Sequence, residues 1–316
     1  MKVAVLGGGG AMGGLFGGYL ARSGADVTLI DVSRAAVGTI NRQGLTIEEK
    51  DGSTLTVPVR ASDAPHSVGP VDLIINFVKC YHTEAAISAA KAMIGADTAV
   101  LSLQNGWGNA DTISALVGSD RVLVGLTYHS GVLAEPGHIK HPGVGMTYVG
   151  ELNGKETPRL AAIVSLLRNG GFEVTPSTSI LNEVWKKLAL NCCTLPTSAL
   201  LQLFSHELAA LEPMRDEMRA ILGEVKAVAA AQGIALDEDE RWTTIIGILE
   251  RGVGGKSSMF QDVEAGRRTE IDVINGAIVA AGKRVGVVTP HNQAMLNLVK
   301  GWEARLAFRQ AAEKRA

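Results

Sequence analysis

Two groups of residues in this 316-residue sequence have the types and spacing needed for chemistry. The first is a glycine-rich run near the start, in which Gly8, Gly10 and Gly13 fit the pattern GxGxxG. Between a strand and a helix, such a run directs backbone N–H groups and the positive end of the helix toward a pyrophosphate. The pattern predicts a dinucleotide site. Its expected contacts are Gly8, Gly10, Ala11, Met12 and Gly13.

Each glycine of this motif has an expected role. We expect Gly8 to allow the tight turn, Gly10 to admit the pyrophosphate to the backbone, and Gly13 to let helix and strand pack closely. Glycine-rich turns are common, so the three glycines alone are weak evidence. The apolar strand before them, the helix after them and an acid about twenty residues later make the signal specific.

The acid of this fingerprint is Asp31, at the end of the second predicted strand. A carboxylate there accepts hydrogen bonds from the ribose hydroxyls of NAD and repels the 2′-phosphate of NADP. Arg34 argues the other way, because its guanidinium could bind that phosphate. Asp31 could also cap the helix that follows it. We expect NAD as the cofactor, with NADP as the alternative.

The second group is Lys187 with Asn191, four residues apart on one face of a predicted, largely apolar helix. Apolar surroundings strip water from a lysine and lower its pKa toward the range useful in acid–base catalysis. An exposed lysine with a capping asparagine is the alternative for an isolated pair. We expect the neighbouring Lys186 to be such a surface residue.

These groups lie in different parts of the chain. Up to residue 176, short apolar runs alternate with helical stretches, which predicts a parallel sheet covered on both faces. Residues 45–61 alternate around a turn and predict an inserted hairpin. We therefore predict an α/β Rossmann-type doubly wound N-terminal domain at 1–176 and an all-α C-terminal domain at 177–316. Its predicted helices are 180–193, 206–232, 238–251, 258–285 and 289–310, before a charged end at 313–315 that we expect to fray.

Composition excludes several classes of partner. The sequence is 46% apolar and 20% charged, as in globular proteins. Its formal net charge of -2 gives no field that would hold nucleic acid or an acidic membrane surface. No apolar run reaches the roughly 20 residues that span a bilayer. We expect a soluble cytoplasmic protein with a small-molecule partner, and a homodimer as its candidate assembly.

Cysteine and histidine give no metal site. The three cysteines suit neither a disulfide framework nor a four-ligand zinc site, and two of them, Cys192 and Cys193, are expected to pack in an apolar core. His129, His138 and His141 cluster in sequence without the spacing of a zinc helix, so we interpret them as structural.

Further motifs recur in order over nearly the whole chain. They are V-K-x-x-x-T from Val78, L-Q-N-G from Leu103, P-G-H-x-x-H-x-G from Pro136, W-x-K-L-x-x-N from Trp185, and K-S-S-M-x-Q-D from Lys256, followed by T-E-I-D from Thr269. Together with the glycine loop, this set resembles the ketopantoate reductase family. The resemblance implies a nicotinamide-dependent oxidoreductase that transfers hydride between NAD(P)H and 2-dehydropantoate or a related 2-keto or 2-hydroxy acid.

The resemblance also implies roles for residues. Lys187 would be the general acid that protonates the carbonyl oxygen, and the base in the reverse direction. Asn191 and Glu270 would hold the substrate and the lysine in register. By the same resemblance, Asn105 and Glu270 belong to both the catalytic and the cofactor-binding residues.

Three more positions follow from the family pattern. Ser258 would bind the substrate carboxylate, at the expected start of a helix. Lys79 and Asn105 would lie between cofactor and substrate, and Lys79 would contact the cofactor. Without the family pattern, Lys79 reads as a solvated helix start and Asn105 as a turn residue.

Two departures from the family pattern affect specificity. The family usually places a second asparagine before the proline of the lysine helix, whereas this chain has Leu195 before Pro196. Leucine offers no hydrogen bond, so we expect this end of the pocket to be more apolar and to serve another 2-keto acid. The better-known members also favour NADP, whereas Asp31 argues for NAD.

Two other functions remain open from the sequence. A β-hydroxyacid dehydrogenase also joins a glycine-loop domain to a helical domain with a lysine and an asparagine, although its glycine-rich substrate loop is not found here. A non-catalytic dinucleotide sensor would keep the fold without the chemistry. Lys187, Asn191, Ser258 and Glu270 together argue against such a sensor.

Overall fold

The computed structural model of the protein describes residues 1–313, which form two compact units. The first unit comprises Met1–Gln104 and Asn109–Leu181, and the second comprises Asn105–Gly108 and the chain from Asn182 onward. The domain boundary after residue 176 stays a prediction. Of residues 313–315, which were expected to fray, Glu313 is the last residue of the final helix, and residues 314 and 315 lie outside the described part of the chain.

Strands and helices alternate in the first unit. Its strands are β1 (Lys2–Leu6), β2 (Asp26–Ile30), β3 (Leu45–Glu49), β4 (Thr54–Val57), β5 (Arg60–Ser62), β6 (Val71–Asn76), β7 (Ile94–Ser102), β8 (Val122–Thr127), β9 (Ser130–Glu135), β10 (His138–Gly143), β11 (Thr147–Glu151) and β12 (Val174–Pro176). Its helices are α1 (Ala11–Arg22), α2 (Arg34–Gln43), α3 (Thr83–Ala89), α4 (Asn109–Val117) and α5 (Pro158–Asn169).

Eight of these strands form one sheet, in the order β12-β11-β8-β7-β6-β1-β2-β5. Strand β1 pairs in parallel with β2 and β6, and the parallel pairing continues through β7 to β8. The apolar runs that predicted a parallel sheet do pair in parallel, whereas the added strand β11 runs antiparallel to β8 and makes the sheet mixed. The reason is that β9 and β10, rather than a crossover helix, connect β8 to β11.

Side chains of the large sheet enter two cores. Val3 and Val5 of β1 belong to one cluster, whereas Ala4 and Leu6 belong to another on the opposite face. Helices α1 and α5 contribute to the first cluster, and α3 and α4 contribute to the second. The sheet is therefore covered on both faces, which confirms the predicted doubly wound fold.

The remaining strands form a smaller sheet in the order β4-β3-β10-β9. Strands β3 and β4 pair antiparallel, so the predicted hairpin is confirmed. Helix α1 lies close to both sheets. A Cβ atom at Gly14 would lie 2.3 Å from Cδ1 of Ile139 in the small sheet, and one at Gly17 would lie 2.2 Å from Cδ2 of Leu29 in the large sheet. The glycines of α1 permit this close packing.

The second unit is helical, as predicted, and the described residues of this unit form no strand. Its helices are α6 (Ile180–Leu201), α7 (Ser205–Ala210), α8 (Glu212–Ala231), α9 (Glu238–Arg251), α10 (Ser258–Glu264), α11 (Asn275–Val285) and α12 (Pro290–Glu313). Helix α6 starts in the last residues of the first unit and carries the predicted catalytic pair.

Three helix predictions were wrong in extent. Residues 206–232 form two helices, α7 and α8, because Pro213 lacks an N–H and is tolerated only in the first turn of the second one. Residues 258–285 also form two, because α10 ends at Glu264, with Ala265 as its C-cap, before Gly266, whose φ of 63° suits glycine. Helix α6 continues through Pro196 to Leu201, beyond its predicted end at residue 193.

Cys192 and Cys193 are fully buried in the core of the second unit. Burial raises the pKa of both thiols well above the usual range, so they pack as neutral groups and do not act as nucleophiles. In the described chain, no helix has both the length and the apolar character that crossing a bilayer requires. The cytoplasmic location and the homodimer stay predictions.

Candidate active site

The glycine loop between β1 and α1 is tightly folded. The N–H groups of Gly7 and Gly8 both donate to the carbonyl of Ile30, at 2.9 and 3.0 Å. A Cβ atom at Gly13 would lie 2.2 Å from the Gly7 oxygen, so helix and loop pack as expected. The turn itself requires Gly7, with φ 75°, rather than Gly8. Gly8 instead packs against Leu29, which a Cβ atom would approach to 2.6 Å.

The start of α1 fits a pyrophosphate. Gly10 is the N-cap residue, and as a glycine it has no side chain that could cap the helix. The first N–H groups of the helix, on Ala11, Met12 and Gly13, therefore receive no capping acceptor from that residue. Helix N-termini of this kind bind anions through those donors and through the helix dipole. The expected pyrophosphate contacts lie together in this turn.

Asp31 lies directly after β2 and is bonded to the loop. Its Oδ2 accepts from the Gly9 N–H at 2.9 Å, and its Oδ1 accepts from the Ser33 N–H at 2.9 Å. Each carboxylate oxygen can accept more than one hydrogen bond, which leaves capacity for ribose hydroxyls. The cap of α2 is Ser33, whose Oγ accepts from the Ala36 N–H, so the reading of Asp31 as a helix cap was wrong.

Arg34 is turned toward another carboxylate. Its Nε lies 3.2 Å from Oδ2 of Asp63, and its side chain is 90% exposed. An ion pair this exposed contributes little stability. It directs the guanidinium toward Asp63 in this structure.

Lys79 follows β6 in the first unit, and the glycine loop follows its parallel neighbour β1. Both therefore lie at the carboxyl edge of the sheet, where open α/β sheets bind ligands. The Lys79 segment is held by Gln104, whose Nε2 donates to the Val78 carbonyl and to Thr83 Oγ1, each at 2.7 Å. Asn76 Nδ2 donates to Oε1 of the same glutamine at 2.7 Å.

Gln104 was not among the predicted site residues. The sequence does contain a signal for Gln104, namely the two motifs V-K-x-x-x-T and L-Q-N-G. The glutamine of the second motif bonds the valine and the threonine of the first. Lys79 is thus positioned by a residue distant in the chain.

Lys187 and Asn105 meet in the second unit. The ammonium Nζ of Lys187 on α6 donates to Oδ1 of Asn105 at 2.8 Å. The segment of Asn105 is fixed by the next two residues. The Trp107 N–H donates to the Val273 carbonyl at 2.8 Å, and a Cβ atom at Gly106, with φ 88°, would lie 2.5 Å from that carbonyl oxygen. Gly106 therefore permits the approach that places Asn105.

Burial lowers the pKa of Lys187 to about 8, and the negative charge of Glu270 acts in the opposite direction. Glu270 is buried, with 7% of its surface exposed. The residue before it, Thr269, donates through both its N–H and its Oγ1 to Oε1 of Glu303, each at 2.8 Å. A lysine with this pKa can act as an acid near neutral pH and as a base slightly above it.

The same face of α6 continues beyond Lys187. Asn191 and Leu195 follow at intervals of four residues, and both are buried, with 6% and 8% of their surface exposed. Lys186 instead pairs with Glu183, with Nζ and Oε1 2.8 Å apart. Both adjacent lysines are half-buried, so Lys186 is not the fully solvated residue that was expected, but the two have different hydrogen-bond partners.

Ser258 is the first residue of α10 and is exposed. The cap of this helix is Ser257, whose Oγ accepts from the Phe260 N–H at 3.1 Å. Ser198 of α6 lies 3.0 Å from that Oγ and joins the two helices. Within the second unit, Lys187 thus bonds to Asn105 and is affected by the charge of Glu270. Ser258 is connected to α6 through Ser257 and Ser198.

The histidines form a buried chain in the first unit. Nδ1 of His129 lies 3.0 Å from Nε2 of His141, whose Nδ1 lies 3.0 Å from Oε2 of Glu49. Burial, and then the charge of His141, lower the pKa of His129 to about 4. His138 lies apart from them, beside Glu48. Across residues 1–313, no group of three or more His, Cys, Asp or Glu side chains is arranged to hold a metal ion.

Comparison with known proteins identifies a family for this chain. Residues 3–154 match the family model described as Ketopantoate reductase PanE/ApbA, and residues 179–303 match Ketopantoate reductase PanE/ApbA C terminal. The 2-dehydropantoate 2-reductase of Halobacterium salinarum is 33% identical over 304 residues, covering 95% of this chain and 98% of the relative. That of Pyrococcus horikoshii is 34% identical over 304 residues, covering 96% and 98%.

Solved structures give the same result. A PanE/ApbA family ketopantoate reductase from Ralstonia eutropha has a TM-score of 0.89 and 34% identity, covering 97% of this chain and 100% of that one. The ternary structure of D-mandelate dehydrogenase with NADH and anilino(oxo)acetate has a TM-score of 0.92 and 30% identity, with the same coverage. The resemblance inferred from the motifs is confirmed: this chain belongs to the ketopantoate reductase family of nicotinamide-dependent oxidoreductases.

Proposed function

We propose that this oxidoreductase uses NAD(H) to interconvert a 2-keto acid that has an apolar side chain with the corresponding 2-hydroxy acid. The observation that carries the proposal is the state of Lys187. Its ammonium group is held by Asn105, and burial lowers its pKa to about 8. A group with that pKa, held in place on a helix, is suited to move the proton that accompanies hydride transfer.

The glycine loop and Asp31 would hold the dinucleotide, whose nicotinamide supplies or accepts the hydride when bound. In the reductive direction, Lys187 donates its proton to the carbonyl oxygen as negative charge develops there. An ammonium group has three N–H donors, so the bond to Asn105 can persist while another N–H reaches the substrate. In the oxidative direction, neutral Lys187 accepts the hydroxyl proton.

The other predicted site residues support this step. Glu270 stabilises the charged form of Lys187 and so keeps it able to donate a proton near neutral pH. Asn191, one turn further along α6, would bind the substrate oxygen beside the lysine. Ser258 would donate its hydroxyl to the substrate carboxylate. These roles are proposals that follow from position in the family pattern.

The preference for NAD rests on Asp31. A second negative charge next to a carboxylate is unfavourable, and the repulsion grows where water is partly excluded. Arg34, the residue that could offset it, is paired with Asp63. One similar structure, D-mandelate dehydrogenase, was solved with NADH.

The preference for an apolar side chain rests on Leu195. The polar side chains around it bond to their own helix: Thr194 Oγ1 donates to the Leu190 carbonyl at 2.8 Å, and Thr197 Oγ1 donates to the Cys193 carbonyl at 2.9 Å. This stretch of α6 therefore offers a substrate few donors. The ligand in the D-mandelate dehydrogenase structure, anilino(oxo)acetate, is an oxo acid with an aromatic substituent.

A substrate panel tests the proposal. Purified enzyme would be assayed by nicotinamide absorbance with 2-dehydropantoate, phenylglyoxylate, 4-methyl-2-oxopentanoate and pyruvate, each with NADH and NADPH. We expect the highest kcat/KM for phenylglyoxylate or 4-methyl-2-oxopentanoate with NADH. A preference for 2-dehydropantoate with NADPH would contradict the proposed specificity, and no turnover of any acid would favour the sensor function.

A further inference from the structure

Helix α6 contains a proline in its interior, at Pro196, five residues after Asn191. Proline has no N–H, so the carbonyl of Cys192, four residues earlier, cannot receive its usual helical hydrogen bond. Cys192 is fully buried, so water does not replace the missing donor. A buried carbonyl without a partner is costly and rare. The next carbonyl, of Cys193, is bonded by the hydroxyl of Thr197 at 2.9 Å.

The missing donor comes from another helix. Nδ2 of Asn275, at the start of α11, donates to the Cys192 carbonyl at 3.1 Å. The same amide donates to Oδ1 of Asn292 at 3.0 Å, and Nδ2 of Asn292 donates to Oε2 of Glu224 at 2.7 Å. This series of hydrogen bonds ends at the Cys192 carbonyl and at the Glu224 carboxylate. Both groups only accept hydrogen bonds, so the orientations of the Asn275 and Asn292 amides are determined.

Asn275 is itself fully buried, and its Oδ1 has no hydrogen-bond partner in the described part of the chain. Burying an unpaired amide oxygen is unfavourable, so the residue must contribute more than packing at this position. Its contribution is the link that it makes. Asn275 lies five residues after Glu270, and its amide joins that segment to the turn of α6 that follows Lys187 and Asn191.

We propose that Asn275 is a positioning residue, which fixes the interruption that Pro196 makes in α6 and thereby holds Lys187 and Asn191 in register with Glu270. The inference rests on the proposed role of Lys187 in proton transfer. Asn275 does not touch the reacting atoms. It acts through the backbone of the helix that carries them.

A double-mutant cycle tests this link. Pro196→Ala restores an N–H that can donate to the Cys192 carbonyl, so the helix no longer depends on Asn275. We expect Asn275→Ala to lower kcat about tenfold in the natural background and about twofold or less beside Pro196→Ala, a coupling typical of residues in one network. KM for NADH should be unchanged in all variants.

A second readout separates positioning from general destabilisation. If Glu270 moves away from Lys187, the pH midpoint of kcat should shift downward in Asn275→Ala and return toward normal in the double variant. Asn297→Ala is the matched control, because Asn297 is an exposed asparagine of α12 that accepts only from Gln293 in the described hydrogen bonds. It should change neither kcat nor the midpoint.

Several outcomes would overturn the inference. Equal losses of kcat in both backgrounds, or lower stability with kcat and midpoint unchanged, would show that Asn275 is only a packing residue. If Asn275→Ala does not fold, recovery of active enzyme in the double variant supports the link, and failure of both contradicts it. Full activity of Lys187→Ala would instead contradict the proposed function, so the two failures are distinguishable.

Discussion

The ammonium group of Lys187 donates a 2.8 Å hydrogen bond to the side-chain oxygen of Asn105, a residue 82 positions earlier in the chain. Asn105–Gly108 belongs to the helical unit, while the residues on either side belong to the sheet unit. The bond to Asn105 gives the half-buried lysine a fixed direction without neutralising it. An amide oxygen accepts a hydrogen bond but carries no net charge, so Lys187 can still release its proton.

The first prediction is a pH dependence. Reduction requires protonated Lys187, so its rate should fall as pH rises through about 8, the pKa to which burial lowers this lysine. Oxidation requires the neutral amine and should rise through the same pH. The measurement is the single-turnover rate in both directions between pH 6 and 10, a range that extends roughly two units on either side of this pKa. A flat profile in both directions would contradict the role of Lys187.

Glu270 should set the position of that midpoint. Its negative charge opposes the effect of burial on the pKa of Lys187, so Glu270→Gln should move the midpoint to lower pH. Glu264→Gln, which removes an exposed carboxylate paired with Lys256, is the control and should leave the midpoint in place. An unmoved midpoint in Glu270→Gln would show that the charge does not reach the lysine.

Cofactor choice gives another prediction. We expect a higher kcat/KM with NADH than with NADPH, because the proposed role of Asp31 places its carboxylate where the 2′-phosphate would lie. Asp31→Asn removes the charge and keeps an oxygen that can accept from the Gly9 N–H, so it should reduce the ratio by about tenfold or more. Arg34→Ala should change the ratio little, since Arg34 pairs with Asp63. A preference for NADPH in the unaltered enzyme would mean that Arg34 dominates.

Substrate choice should respond to Leu195. Leu195→Asn restores the hydrogen-bonding group found in the family pattern, so kcat/KM for 2-dehydropantoate should rise relative to that for 4-methyl-2-oxopentanoate, by about tenfold for one well-placed hydrogen bond. Leu201→Asn, on an exposed residue of the same helix, is the control. An unchanged ratio in Leu195→Asn would show that residue 195 does not contact the substrate.

Local patterns were enough to predict much of this molecule. The glycine loop, the strand before it and the helix after it depend on neighbours within a few residues, and so does the face shared by Lys187 and Asn191. The family pattern added Asn105, which looks like an ordinary turn residue in isolation. Its bond to Lys187 requires the folded chain.

What the sequence did not predict depends on distant contacts. Helix α6 extends beyond Pro196, and an amide from α11 donates to the carbonyl that the proline leaves without its helical partner. The antiparallel β11 follows from the small sheet, in which β10 pairs with the distant β3. Gln104 has a role only because Val78 and Thr83 lie beside it in the fold. No window of neighbouring residues contains this information.

The buried histidine chain should make stability depend on pH. Burial lowers the pKa of His129 from 6.5 to about 4, so the unfolded chain takes up a proton first as pH falls. The contribution of neutral His129 to the free energy of unfolding is therefore complete above about pH 6.5 and is lost as the pH falls toward 4. Between pH 7 and 5 the free energy of unfolding should drop by about 2 kcal/mol more in the natural protein than in His129→Gln. Denaturant titrations at both pH values measure it, and equal drops would contradict the assignment.

Lys187, and not the adjacent Lys186, is the residue proposed to move the proton. Lys186 is the natural control, since it lies on the same helix and pairs with Glu183 instead. The most direct test is single-turnover hydride transfer, followed by stopped-flow absorbance of NADH in Lys187→Ala and Lys186→Ala. Loss of a general acid typically costs about 10²–10⁴ in rate, so Lys187→Ala should slow by that factor with NADH binding unchanged, while Lys186→Ala stays near normal. Near-normal hydride transfer in Lys187→Ala, with Lys186→Ala inactive, would contradict the account.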